Sequence, residues 1–184
     1  MRWMLCLIFF LCSASYAGMT QNTDPAVCSV NQIKLGNPAL EFCINPEFLT
    51  GGRILADNGL MVLWSATRHL NIETHSASQW GYTESHFNEI PAALIFGDMR
   101  AFSNHFLTEL EAVRQVVAAD TGFIRAGERP GTTMNVYFSI GDQIAYLFVE
   151  HKQNPGIFSQ ITIHGFTEQE IMELLEGLND DRLN

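Results

Sequence analysis

Three of the six histidines fall in one polar stretch, residues 68–89, together with three glutamates. Imidazole nitrogens and carboxylate oxygens are the donors that Zn²⁺ takes in catalytic sites, where three protein ligands leave one position open for water. One hypothesis is therefore a zinc site in this stretch, which would make the protein a metal-dependent hydrolase. The predicted ligands are His69, His75, His86 and Glu89.

The spacing of these residues matches no established zinc motif. H-E-x-x-H is absent, and only His86 and Glu89, three residues apart, would share one face of a helix. Histidines in an exposed loop are the alternative interpretation of the same stretch. On that interpretation no cofactor is required, and zinc is kept as the alternative.

Two aromatic residues, Trp80 and Tyr82, flank Gly81 inside the same polar stretch. Aromatic side chains give a large contact area at a small entropic cost and are enriched in recognition surfaces, and long loops often carry function. We therefore expect a binding surface here; the alternative is a tryptophan that folds back onto the end of a sheet. The predicted binding residues are Trp80, Tyr82, His75 and Glu84.

Motifs for nucleophilic catalysis do not accompany these residues. G-x-S-x-G, S-x-x-K and C-x-x-C are absent from the sequence. Residues 127–131 contain two glycines but do not open a helix, so they would present no helix amino terminus to a phosphate. His151 and His164 each end a predicted strand, and we expect them near one edge of the sheet. The sequence favours a binding protein over an enzyme without deciding between them.

The first seventeen residues have the three parts of a cleavable export signal. Arg2 supplies the charge, residues 3–11 form the apolar run, and Ser15-Tyr16-Ala17 is a small-x-small cleavage site. The run is shorter than the roughly 20 apolar residues that span a bilayer, which favours a cleaved signal over a membrane anchor. No stable membrane insertion is therefore expected after cleavage. We predict a periplasmic or secreted protein with a signal peptide at residues 1–17, one domain at residues 18–178 and a flexible tail at residues 179–184.

Cleavage would leave two cysteines, Cys28 and Cys43. An even number of cysteines in an oxidising compartment favours a disulfide between them. Closing a loop of this length would remove chain entropy worth about 3 kcal/mol from the unfolded state. Two free buried thiols are the alternative.

The chain is strongly acidic. Its 184 residues include 10 basic and 20 acidic side chains, a net charge of −10 with histidine neutral. Residues 1–17 hold one of the basic residues and none of the acidic ones, so the exported chain would have nine basic against twenty acidic residues, a net charge of −11. Such a chain repels phosphate backbones and anionic lipids, which argues against nucleic-acid binding, and it attracts a protein partner with a basic surface.

The C-terminal third shows a clear strand pattern. Apolar and polar residues alternate over residues 134–140, Gly141-Asp142 supplies a turn, and residues 143–150 form a nearly continuous apolar run. This pattern predicts a β-hairpin. Asn154-Pro155-Gly156 then predicts a turn into a third strand over residues 157–164.

Two helices are predicted from their capping residues and apolar stripes. Thr167 and Glu170 form a capping box before the final helix. Ser103 would begin an earlier helix, and Gly122 is a typical residue at which it would end. Each helix has one apolar face that would pack on a sheet.

Three more strands are predicted upstream of the first helix. Residues 52–56 and 60–66 flank Asp57-Asn58-Gly59, a strong turn signal, and residues 92–96 form a short apolar run. Short apolar runs fit helices as well as strands, so residues 60–70 could instead be helical. The resulting order is βββα-βββα. It predicts an α+β fold with an antiparallel sheet of about five to six strands and two helices packed on one face.

The leading hypothesis is a small acidic binding protein of the cell envelope, an inhibitor or immunity-type protein that covers a secreted partner. Export, one small acidic domain and a long polar loop with aromatic residues motivate it. The alternative is the metal-dependent hydrolase of segment 68–89. A carrier of a small cationic or apolar ligand is a third hypothesis, which would need a deep pocket between helices and sheet.

Overall fold

The computed structural model describes residues 32–37, 40–56, 59–82 and 86–178. Several sequence predictions lie outside these residues and stay predictions. They are the signal peptide at residues 1–17, Cys28 and therefore its disulfide with Cys43, the Asp57-Asn58 part of the turn, Glu84, and the tail at residues 179–184.

The described residues form two antiparallel sheets, three α-helices and two short 3-10 helices. The smaller sheet contains β1 (Ile33–Asn37) and β2 (Leu40–Ile44), and a 3-10 helix follows at Pro46–Leu49. The main sheet contains β3 (Arg53–Ala56), β4 (Leu60–Ser65), β5 (Arg68–Ser76), β6 (Arg125–Pro130), β7 (Met134–Ile140), β8 (Ile144–His151) and β9 (Ile157–His164). The helices are α1 (Ile90–Phe96), which follows a 3-10 helix at Phe87–Glu89, α2 (Asn104–Thr121) and α3 (Glu168–Gly177).

Every strand pair in the main sheet is antiparallel, and the strand order is β3-β4-β5-β9-β8-β7-β6. The chain leaves the sheet after β5, forms α1 and α2, and returns as a four-strand meander. The last strand of that meander pairs with β5 over its whole length, from Ser76 opposite Ile157 to His69 opposite His164. The β5–β9 pair therefore joins the two parts of the sheet and lies at its centre.

Both faces of the sheet carry a hydrophobic core. Neighbouring residues of a strand point to opposite faces, and on β8 both Leu147 and Phe148 are 0% exposed. Leu147 packs on what we call the first face, with α3 and the β1–β2 sheet. Phe148 packs on the second face, with α1 and α2. A central strand that is apolar on both sides requires a layer on each face.

The α+β class, the antiparallel sheet and its C-terminal elements were predicted correctly. The hairpin and third strand correspond to β7, β8 and β9, and α2 ends at Gly122, which adopts the left-handed conformation with φ of 60°. The Thr167–Glu170 capping box forms with both of its hydrogen bonds. The residues 52–56 and 60–66 correspond to β3 and β4.

The predicted numbers and order of elements were wrong in detail. The main sheet has seven described strands rather than five or six, and the described part of the chain contains three α-helices rather than two. The apolar run 92–96, predicted as a strand, lies in α1. Pro91 in the first helical turn and Gly97 at the C-cap, with φ of 79°, are both favourable at helix ends, and they resolve the ambiguity of so short a run.

The helices also lie on both faces of the sheet, whereas two helices on one face were predicted. The helix α3 packs on the first face, and α1 and α2 pack on the second. None of the helices in the described residues is both long and apolar enough to cross a membrane.

Segment 68–89 is not one long loop. Its first nine residues are β5, where Leu70 and Ile72 are buried on the first face and the alternate residues 69, 71, 73 and 75 point to the second. Residues 127–131 were predicted to join a helix to a strand, and all but the last of them lie in the edge strand β6.

Candidate functional site

The second face is covered on one half and open on the other. The helices α1 and α2 contact β7 and β8. On β5 and β9 the second-face positions carry mainly polar side chains that remain partly exposed. These side chains are His69, Asn71, Glu73 and His75 on β5, and Gln160, Thr162 and His164 on β9. A polar platform at the centre of a sheet is a surface that the fold does not use for its own core.

Cross-strand pairing brings two histidines of this platform together. His69 lies opposite His164 in the register, and their rings stack with centroids 4.2 Å apart and planes 20° apart. Burial and the neighbouring His164 ring both lower the pKa of His69, which favours its neutral form near pH 7. A neutral imidazole offers one hydrogen-bond donor and one acceptor.

Beside this pair, the platform continues into a cleft of about 690 Å³ between the edge of the sheet and the turn after β5. Leu55 of the edge strand β3, Met61 and Trp80 provide apolar walls. The polar floor comes from the centre of β5. The complete lining among the described residues is Leu55, Gly59, Met61, Asn71, Glu73, Thr74, His75, Gln79 and Trp80. We call these residues the β5 cleft.

Glu73 is the one formally charged side chain among these described lining residues. Its side chain is 46% exposed, and its Oε1 accepts a hydrogen bond of 2.6 Å from Asn71 Nδ2. Its Oε2 lies 3.9 Å from His75 Nε2. Burial lowers the pKa of His75, although the Glu73 carboxylate and the Gln160 side chain oppose that shift. With His75 largely neutral near pH 7, the β5 cleft carries a negative charge.

The aromatic pair predicted to bind a partner divides between the core and the cleft. Tyr82 is only 7% exposed and packs against Phe106 with ring centroids 4.1 Å apart, so its side chain belongs to the second-face core rather than to a surface. Trp80 is half-buried, with its indole edge-on to Phe158 and His75, and it forms one wall of the cleft. The alternative interpretation of Trp80, a tryptophan folded onto the sheet, describes its packing.

The structure does not bring the four predicted zinc ligands together. His69 and His75 lie on the same strand six residues apart, and a strand rises about 3.3 Å per residue, so roughly 20 Å separates them. Zinc ligands lie about 2 Å from the ion, so one ion cannot take both. His86 and Glu89 do meet, with His86 Nδ1 2.6 Å from Glu89 Oε1. Within the described residues no group of three His, Cys, Asp or Glu side chains is arranged to hold a metal ion.

A serine and a histidine approach each other on the first face. The Oγ of Ser159 lies 3.0 Å from Nε2 of His151 and 3.1 Å from Oγ1 of Thr74. Such spacing suits a nucleophile and its base, but Ser159 is 0% exposed and no substrate can reach its hydroxyl. The expected proximity of His151 and His164 was wrong, because β8 and β9 are antiparallel and their C-terminal ends lie at opposite ends of the pair.

Glu150 organises a second polar cluster under the helices. Its carboxylate accepts hydrogen bonds from Asn135 Nδ2 at 2.8 Å, Tyr137 Oη at 3.0 Å and Asn88 Nδ2 at 3.2 Å. The Asn88 bond connects the 3-10 helix Phe87–Glu89 to the sheet. Because these partners all come from the fold itself, the cluster is structural.

The sequence predicted two members of the β5 cleft, His75 and Trp80, and missed the others. Glu73 was not among the predicted binding or zinc-binding residues, while Leu55, Met61 and Asn71 belong to three different strands that pairing alone brings together. The available signal was the alternation of residues 69–75, in which Leu70 and Ile72 interrupt polar residues at the period of a strand.

Comparison with known proteins gives no family for this chain: no protein-family model matches it, and no curated protein matches its sequence. The class of protein is therefore defined by fold and site alone, as an α+β protein with an open, acidic cleft on its main sheet.

Proposed function

We propose that this protein is an exported, non-enzymatic binding protein of the cell envelope that covers a secreted or periplasmic partner with a basic surface. An inhibitor or an immunity-type protein has this kind of role. The observation that carries the proposal is the open half of the second face, where the central β5–β9 strand pair presents polar side chains beside an acidic cleft.

The shape of this surface supports binding of a protein. The platform and the β5 cleft continue to the edge strand β3, whose four residues are all exposed, with Leu55 50% exposed. An apolar area next to exposed polar groups resembles the core and rim of a protein interface. The surface rests on paired strands rather than on a loop, so little conformational entropy is lost when a partner docks.

The charge supports a basic partner. The whole chain has a net charge of −10, and the charged residue inside the β5 cleft is an acid. An acidic protein field accelerates the encounter with a basic surface, and this acceleration falls as salt is added. The proposed location in the envelope comes from the predicted signal peptide at residues 1–17 and the predicted Cys28–Cys43 disulfide.

The test is affinity capture from the native envelope with the processed chain as bait, at low ionic strength, followed by elution with increasing salt. We expect a dominant retained protein with a basic surface that elutes between roughly 0.1 and 0.5 M salt, where the Debye length falls below about 10 Å. Glu73→Lys reverses the charge of the cleft and should abolish retention.

Glu173→Lys is the matched control, because Glu173 lies on the exposed side of α3, on the first face. It makes the same change in net charge and should retain the partner. If no protein is retained specifically at low salt, the proposed function is wrong. Equal loss with both variants would show that net charge, rather than the cleft, holds the partner.

A further inference from the structure

We infer that the β5 cleft is an anchor site for a lysine side chain of the partner. This inference rests on the proposed function and names the contact through which the partner would be held. It follows from three properties of the cleft: the sign of its charge, the number of carboxylate oxygens left free, and the apolar walls around them.

The charge of the cleft selects a cation. Glu73 is the formally charged group among its described lining residues, and its side chain is 46% exposed. Its neighbour His75 is held largely neutral by burial and adds little positive charge. A partly exposed carboxylate without a basic neighbour in the cleft is a counter-ion for a cationic ligand.

The free hydrogen-bonding capacity of Glu73 favours an ammonium over a guanidinium. Its Oε1 already accepts the 2.6 Å hydrogen bond from Asn71 Nδ2, which leaves Oε2 as the oxygen with fewer partners. A guanidinium binds best when its planar fork meets both oxygens of a carboxylate, whereas an ammonium needs a single oxygen. Asn71 uses Nδ2 for this bond, and its Oδ1 is a second acceptor group on the floor of the cleft.

The apolar walls fit the rest of a lysine side chain. Leu55 and Met61 lie next to each other across the β3–β4 pair, and Trp80 stands on the other side of the cleft. Lysine buries its four methylene groups along apolar surface while its ammonium stays with polar groups. The cleft offers these two environments in that order, from the exposed Leu55 at the sheet edge to Glu73 on the central strand.

The test uses three capped tripeptides that differ only in the middle residue: acetyl-Gly-Lys-Gly-amide, its arginine counterpart, and its norleucine counterpart, in which a methyl group replaces the ammonium. Each is titrated into the ¹⁵N-labelled processed chain at low salt. We expect the lysine peptide to shift the signals of the Trp80 indole N–H and the Asn71 side-chain amide, with a dissociation constant in the millimolar range. The norleucine peptide should bind at least about fivefold more weakly than the lysine peptide, and the affinity of the arginine peptide should lie between those two.

Glu73→Gln keeps the shape of the side chain and removes its charge. This variant should bind the lysine peptide as weakly as the wild type binds the norleucine peptide. Glu173→Gln removes the same charge from the first-face helix and should leave binding unchanged. Equal binding of lysine and norleucine, or unchanged binding in Glu73→Gln with a native amide spectrum, would overturn the lysine anchor. Absence of any shift would overturn it too. The capture experiment is independent: a partner that is retained while the peptides fail would leave the function standing and remove this contact.

Discussion

The strand β8 ends at His151, whose imidazole lies on the first face with its Nε2 3.0 Å from the buried Ser159 hydroxyl. Burial lowers the pKa of His151 from 6.5 to about 4, although the adjacent Glu150 carboxylate acts in the opposite direction. Between these two values the unfolded chain binds a proton that the folded protein does not. The folded state is therefore penalised as the pH falls from about 6.5 towards 4, and it is unaffected by this group above that range.

We predict that His151→Gln reduces the acid sensitivity of the protein, because glutamine keeps a polar group near Ser159 and cannot be protonated. Between pH 7.5 and pH 4.5 the wild-type free energy of unfolding should fall by about 2 to 3 kcal/mol more than that of the variant. Urea denaturation at both pH values measures this difference. His105→Gln, on the exposed side of α2, controls for the loss of a histidine. A parallel pH dependence of wild type and His151→Gln would contradict the prediction.

Contacts between residues close in sequence were predictable, and contacts across the sheet were not. His86 and Glu89 were expected to share a helical face, and they meet at 2.6 Å. Asp98 and Arg100, two residues apart, form an exposed ion pair, and the hydrogen bond from Arg100 lowers the pKa of Asp98 to about 2. By contrast, the His69–His164 stack joins residues 95 positions apart, and only the register of β5 against β9 determines it.

At the scale of elements, the predictions succeeded where a pattern was long and its ends were marked. The helix α2 has an apolar stripe from Phe106 to Val117 and a terminal Gly122, and β7 and β8 are joined by a turn at Gly141. Errors occurred where a pattern was short or polar. The strand β6 contains Gly127, which lies against the Phe138 ring, and its remaining residues are mostly exposed and charged. An edge strand needs no apolar alternation, so it left no signal.

The capping box of α3 permits a direct test of an element boundary. Thr167 Oγ1 accepts from the Glu170 amide at 3.3 Å, and Glu170 Oε2 accepts from the Thr167 amide at 2.8 Å. Glu170 Oε1 also accepts from Arg68 Nη2 at 2.7 Å, and the Arg68 guanidinium lies 4.1 Å from the Phe166 ring centroid. The cap therefore also connects the start of α3 to β5.

Thr167→Ala should lower the free energy of unfolding by about 1 kcal/mol, because it leaves a helix amide without its hydrogen-bond acceptor. Thr167→Ser keeps the hydroxyl and should stay within about 0.3 kcal/mol of wild type. Both values come from urea denaturation at neutral pH. If Thr167→Ser proves as destabilising as Thr167→Ala, the Thr167 hydroxyl does not cap α3.

At the scale of the whole molecule, the feature that sequence patterns could not supply is the placement of helices on both faces. The prediction put both helices on one face, although the strand 143–150 already indicated burial on two sides. The apolar stripe of a helix shows that the helix has a face to bury, but it does not show on which side of a sheet that face packs. Here α3 follows β9 and packs on the first face, while α1 and α2, between β5 and β6, cover the second.

Two cores that share the same strands should unfold together. Trp64 packs against the first-face core and Trp80 against the second, so each indole reports one face. In variants of the processed chain that keep one of them, with the other replaced by phenylalanine, we expect both indoles to report the same urea midpoint, since coincident transitions are the signature of two-state unfolding. Leu147→Ala creates a first-face cavity and should lower both midpoints, at a cost of about 2 to 5 kcal/mol.

The measurement that tests this coupling is the urea midpoint of Trp80 in the Leu147→Ala variant, because Leu147 belongs to the first-face core and not to the second-face core. Val116→Ala, at a position on α2 that is 54% exposed, is the matched truncation, and the free energy of unfolding that either indole reports should change by no more than about 0.5 kcal/mol. If Leu147→Ala lowers the Trp64 midpoint and leaves that of Trp80 unchanged, the faces unfold as separate units. The floor of the β5 cleft is the second face of β5, and Leu70 and Ile72 lie on the first face of the same strand. If the faces unfold separately, the stability of the cleft would depend only on the second-face core, which α1 and α2 cover.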